Sequence, residues 1–156
     1  MKPGVYTQLY VQLVFAVKNR DAVLHPAIRE RIFKYMSGIL TEMKHKSIII
    51  NGVSDHVHIL FGENPSKSIS DTVHDIKRST SLFINNEKLC LGKFSWQEGY
   101  GAFTYSRSQL DDVYSYIQNQ EEHHKEKTFK EEYIRFLQKF EIEYDERFLF
   151  DFFDNA

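Results

Sequence analysis

Between residues 6 and 105 the spacing of the apolar side chains switches between a period of two and one of about 3.6. The order of those switches restricts the fold more than any other property of the chain. Thr7, Leu9, Val11, Leu13, Phe15 and Val17 alternate with Tyr6, Gln8, Tyr10 and Gln12, the pattern of a strand with one buried face. Behind Pro26, suited to a first helical turn, Ile28, Ile32, Tyr35, Met36, Ile39 and Leu40 recur at helical spacing towards Lys44. The β-branched run from Ser47 to Val53 and the alternating run from His56 to Phe61, joined by a turn near Ser54-Asp55, read as a hairpin. After a loop from Gly62 to Lys67, Ser68 with Asp71 opens a second helix with an inner stripe of Ile69, Val73, Ile76, Thr80 and Phe83. The aromatic stretch from Phe94 to Tyr105, interrupted by Gly99 and Gly101, reads as a fourth strand.

Strand, helix, strand, strand, helix, strand predicts an α+β fold: a ferredoxin-like split βαβ core with an antiparallel sheet. Two C-terminal helices follow. Ser108 with Asp111 caps one, and Thr128 with Glu131 caps the other, whose inner face is Phe129, Tyr133, Leu137 and Phe140. At 156 residues a single domain is expected, divided into a core over 1–107, a helix over 108–127, and a final helix with an acidic tail over 128–156. Helices should cover the sheet face of Leu9, Leu13, Val57 and Ile59, leaving Tyr10, Gln12, His56 and His58 on an open face. Such a fold hosts many activities, so function has to be read from particular residues.

Composition narrows the classes. No apolar run approaches the roughly 20 residues needed to span a bilayer, the start lacks the basic and apolar tract of a signal peptide, and Cys90 is the single cysteine. A reducing cytoplasm is therefore expected. A net charge of -2 and a pI near 6.4 argue mildly against a polyanionic partner. Much of the acid lies late in the chain, at Glu141, Glu143, Asp145, Glu146, Asp151 and Asp154, so a local basic groove elsewhere stays open.

The chemistry-bearing residues cluster in two places. In Asp55-His56-Val57-His58-Ile59-Leu60 the histidines are two apart on a strand; they share a face at roughly 6 to 7 Å, so both imidazoles can converge on one ion, or each can make only surface hydrogen bonds. In the first C-terminal helix, Tyr116 and Gln120 are one turn apart, with Tyr116 at the edge of the Leu110, Val113 and Ile117 stripe. Packing alone also accounts for Tyr114 and Tyr116. His123 and His124 suit a metal, a DNA contact, or the negative end of a helix.

Together these residues resemble the single-tyrosine HUH transposases of small insertion sequences, including relatives associated with repetitive extragenic palindromes. The resemblance covers nearly the whole chain. It rests on the opening strand with Phe15, Asp55 to Leu60, the second helix, Trp96-Gln97-Glu98-Gly99-Tyr100-Gly101, and Tyr116-Ile117-Gln118-Asn119-Gln120. It implies that His56, His58 and Gln120 hold Mg2+ or Mn2+, and that Tyr116 attacks a DNA phosphate to leave a 5′-phosphotyrosine and a free 3′-hydroxyl. It also implies single-stranded DNA with subterminal hairpins as substrate, a homodimer with the tyrosine delivered in cis or in trans, and work on the bacterial nucleoid. A free tyrosine is only about 0.1% phenolate at neutral pH, so the site itself must activate it.

Lys67, Lys77, Arg78 and Arg107 are candidate phosphate contacts, and Tyr10, Trp96, Phe103 and Tyr105 candidate base-stacking residues. A solvated helix face and a packed core explain the two sets equally well. Two other readings stand beside the transposase: a non-catalytic nucleic-acid-binding module using the polar sheet face, and a metal-dependent phosphodiesterase using water.

Overall fold

In the computed structural model, which describes residues 2–20 and 22–153, the opening alternation forms β1 over Tyr10–Ala16. Then come α1 (Pro26–Glu42), β2 (Lys46–Gly52), β3 (His56–Gly62), α2 (Ile69–Asn86) and β4 (Gly101–Tyr105). All pairings are antiparallel in the order β2-β3-β1-β4, the ferredoxin-like arrangement expected from the hydrophobic periods. The Asp71 N–H donates to Ser68 Oγ at 3.0 Å and starts α2 as the sequence predicts. Asp154, counted in the acidic tail, lies outside the described residues. No helix among the described residues is long and apolar enough to cross a membrane.

Two strands are shorter than their patterns. Leu9 precedes β1 and is exposed. Residues 94–100 form no continuous strand, Gly99 turning the chain at a φ of 87° just ahead of β4, yet they still follow β1, through Lys18 N–H to the Ser95 carbonyl at 2.9 Å and Gln97 N–H to the Ala16 carbonyl at 2.8 Å.

One face of the sheet, with Leu13, Phe15, Val57 and Ile59, packs under Ile32, Met36 and Leu40 of α1 and Val73 and Ile76 of α2. The other face is not open, contrary to expectation: Gln12, Val14, Ala16, His56, His58 and Leu60 are all buried. Three helices lie over it, α3 (Leu110–Gln118), α4 (Gln120–Glu126) and α5 (Phe129–Lys139). Phe103 of β4 stacks on Phe136 and Phe140 at 5.1 and 4.9 Å. At Gly101 a Cβ would sit 2.8 Å from the Tyr133 hydroxyl, so only glycine lets α5 come this close. Strand alternation separates polar from apolar side chains; it does not say whether the polar ones meet water or the polar groups of another element.

The helix expected over 108–127 is divided. It begins one residue pair earlier than predicted, in a short 3-10 turn over Arg107–Gln109, where Ser106 and Gln109 rather than Ser108 and Asp111 form the capping box. Asn119, at φ -98° and ψ 27°, then separates α3 from α4. The cap of the last helix is as predicted, Glu131 N–H donating to Thr128 Oγ at 3.2 Å.

Candidate active site

Successive outward positions of β3 carry His56 and His58, both fully buried. The His56 Nδ1–H donates to Asp55 Oδ1 at 2.7 Å, and its Nε2 faces Gln120 Oε1 at 3.1 Å and Glu132 Oε1 at 3.1 Å. The ring lies flat on Phe129, with centroids 3.8 Å apart. On His58, Nδ1 accepts from Gln12 Nε2 at 2.8 Å while Nε2 faces Glu132 Oε1 at 3.1 Å. Gln12 is held in turn by the Tyr105 hydroxyl, which donates to its Oε1 at 2.6 Å.

Glu132 of α5 joins the pieces. Its Oε1 also faces His124 Nε2 at 3.1 Å, and the His124 Nδ1–H donates to the Lys127 carbonyl at 2.9 Å. Its Oε2 accepts the Tyr116 hydroxyl and Gln120 Nε2–H at 3.0 Å. Burial works to raise the Glu132 carboxyl, but the facing imidazoles of His58, His124 and His56 outweigh it and hold it far below the usual carboxylate range. Burial also opposes charge on His56, yet its bonds to Asp55 and Glu132 raise it to about 9. His58 is pushed down by burial, so His56 is the cation of the β3 pair. Burial and the ionised Glu132 push the Tyr116 hydroxyl well above its ordinary value, so here it is a donor and not a phenolate.

The donor set fits a divalent metal. His56, His58 and Glu132 each offer one ligand atom, all buried and within 4.8 Å of one another. The 3.1 Å contacts between Glu132 Oε1 and the two Nε2 atoms are close to a ligand-to-ligand edge, about 3.0 Å for bonds of roughly 2.1 Å. Asp55 on His56 Nδ1 stands where an outer partner would fix the ring of a metal-binding imidazole.

Of the residues singled out in the sequence, the structure brings Tyr116, Gln120, His123 and His124 to the two histidines. The Tyr116 ring lies 6.2 Å from that of His58 and stacks on His123 at 4.4 Å. The His123 Nε2 is buried without a hydrogen-bond partner among the described residues, and Tyr114 points outward, 39% exposed. Lys77 is engaged elsewhere: Nζ donates to the Gln97 and Gly99 carbonyls at 2.8 and 2.6 Å, and burial lowers it to about 8. Lys67 and Arg78 are exposed before and along α2, the layer on the other side of the sheet from Tyr116; Arg107 is exposed ahead of α3. Trp96, Phe103 and Tyr105 are buried, as the packing alternative holds. Glu132 was not anticipated: Phe129, Glu132, Tyr133, Phe136 and Leu137 share one helical face, which signals that the acid is buried but not what it meets.

A cavity of about 590 Å³ opens over Tyr116, His123, His124 and Glu132. The family model described as "Transposase IS200 like" matches residues 5–120, so α5 lies beyond the match. Among solved structures, a protein from Deinococcus radiodurans R1 assigned as a transposase is 23% identical with a TM-score of 0.60, over 77% of this chain and 96% of that one. A REP-associated tyrosine transposase bound to a REP hairpin is 12% identical with a TM-score of 0.58, over 80% of this chain and 73% of that one. At these identities the likeness is one of fold. No curated protein matches the chain.

Proposed function

Because the chain belongs to the IS200-like transposase family, we propose that it nicks and rejoins single-stranded DNA at hairpin-bearing ends, with Tyr116 as the nucleophile. The observation that carries this reading is the shared carboxylate: Glu132 faces both β3 histidines through Oε1 and receives the Tyr116 hydroxyl on Oε2. A metal-binding group and a nucleophile thus lie within the span of one side chain.

In this reading His56, His58 and Glu132 hold Mg2+ or Mn2+, with the Gln120 amide oxygen beside them. The bound ion supplies positive charge that offsets the phosphate and stabilises the leaving oxygen. Asp55 fixes the His56 ring, Gln12 the His58 ring, and the His123 stack limits where the Tyr116 ring can turn. The Tyr116 oxygen bonds to phosphorus as its proton leaves along the hydrogen bond to Glu132 Oε2. The bond from phosphorus to the 3′-oxygen breaks, and that oxygen takes up the same proton, relayed from Glu132 by water, so that Glu132 ends as the carboxylate it began as. The products are a 5′-phosphotyrosine and a free 3′-hydroxyl; attack by another 3′-hydroxyl reverses the step and rejoins the strand. Tyr116 serves the histidines of its own chain, whether or not the protein works as the homodimer that the resemblance implies, on DNA in the cytoplasm.

The test is covalent trapping. Purified protein with Mn2+ and a hairpin-bearing single-stranded oligonucleotide should give a denaturant-resistant adduct in the wild type and Tyr114→Phe, and none in Tyr116→Phe or with chelator. An adduct that survives Tyr116→Phe would overturn the assignment.

A further inference from the structure

We propose that Arg135 and Lys139 form a phosphate track along α5 that leads the single strand to Tyr116; this deepens, and rests on, the transposase reading. Glu132, Arg135, Phe136 and Lys139 fall at i, i+3, i+4 and i+7, on one face of α5. That face lines the cavity over Tyr116. Its inner end, Glu132, is occupied by the histidines and the tyrosine, and the two cations continue outward from it.

Neither cation is neutralised among the described residues. Arg135 is exposed and makes no hydrogen bond or ion pair among the described residues, and its charge acts on the Tyr116 hydroxyl. Lys139 makes no ion pair among them either, its Nζ lying 5.6 Å from the centre of the Phe140 ring. By contrast Lys77 is bonded to two carbonyls, and Arg78 belongs to the layer across the sheet. Asp112, Glu126 and the exposed Lys127 also line the cavity, so it is not uniformly basic; Arg135 and Lys139 are the two cations that share one face of α5 with Glu132. The forked guanidinium of Arg135 matches a phosphate next to the one under attack, and Lys139, a turn of roughly 5 to 6 Å further on, meets another phosphate of the same strand. A local track of this kind reconciles a net charge of -2 with a polyanionic substrate. It lies outside the span that matches the family model, residues 5–120.

Salt dependence separates a phosphate contact from a structural role, because each phosphate neutralised on a single strand adds about 0.7 to the slope of log K against log salt. Fluorescence anisotropy with a short fluorescein-labelled oligothymidylate in EDTA, over a salt series, reads that slope. Arg135→Ala and Lys139→Ala should each weaken binding several-fold at low salt and lower the slope by about 0.7. Arg135→Lys should keep the slope, and Lys34→Ala, on α1, should change neither quantity. Wild-type binding with an unaltered slope in both alanine variants would overturn the track while leaving the transposase reading intact, and so would weaker binding at an unaltered slope. A wild type that neither binds the oligothymidylate nor forms the covalent adduct would remove both.

Discussion

A carboxylate taken out of water must be met by charge and by donors or it is strongly unfavourable, and Glu132 meets three imidazoles, an amide and a phenol. Exchanging it for the neutral isostere should therefore show in metal binding before anything else. Glu132→Gln is expected to lower Mn2+ affinity at least tenfold by isothermal titration, and Gln120→Ala to lower it less; equal affinity in Glu132→Gln would remove Glu132 from the ligand set. His56 sets the pH dependence. Its value in the fold is raised to about 9 from 6.5, so its contribution, on the order of 3 kcal/mol, is full below pH 6.5 and lost as pH rises through 9. Metal-free protein should lose stability to denaturant across that window, and Mn2+ binding at pH 7.5 should release a proton, measured by titration in buffers of different ionisation enthalpy. A pH-independent stability would show that His56 is not the buried cation. Local spacing pairs His56 with His58 and Tyr116 with Gln120, and only the family resemblance joins the two pairs. Glu132 enters neither pair, since the helical stripe of 129 to 137 marks it as buried without saying what it meets.

Between elements, the strand beside the histidines also holds the tyrosine helix. Asn51 of β2 is paired opposite His58, and its Nδ2 donates to the Ile117 and Gln118 carbonyls at 3.0 and 3.1 Å, the unsatisfied end of α3. Asn51→Ala should cost about 1 to 2 kcal/mol in thermal unfolding and should slow adduct formation more than it weakens Mn2+ binding. An equal loss in both would mean that Asn51 supports the whole site and not the helix. β1, β3 and the first two helices could be read from the sequence because each carries its own period, and β2 and β4 from their β-branched and aromatic residues. The break at Asn119 could not, as no glycine or proline marks it; nor could the burial of the second sheet face, which depends on α5 docking where Gly101 admits Tyr133.

At the scale of the molecule, the last three helices close over the sheet so that Tyr116 and the β3 histidines of one chain meet. Tyr116 and His58 face each other within it, ring centroids 6.2 Å apart. Mixing His58→Ala with Tyr116→Phe protein should accordingly restore no adduct; recovery would mean that the tyrosine crosses to a partner. In the proposed function the β3 histidines and Glu132 bind a metal in front of that tyrosine. Anomalous diffraction from a Mn2+-soaked crystal tests it most directly. One peak is expected within about 2.3 Å of His56 Nε2, His58 Nε2 and a Glu132 oxygen; a peak away from these atoms, or none at saturating Mn2+, would overturn the site.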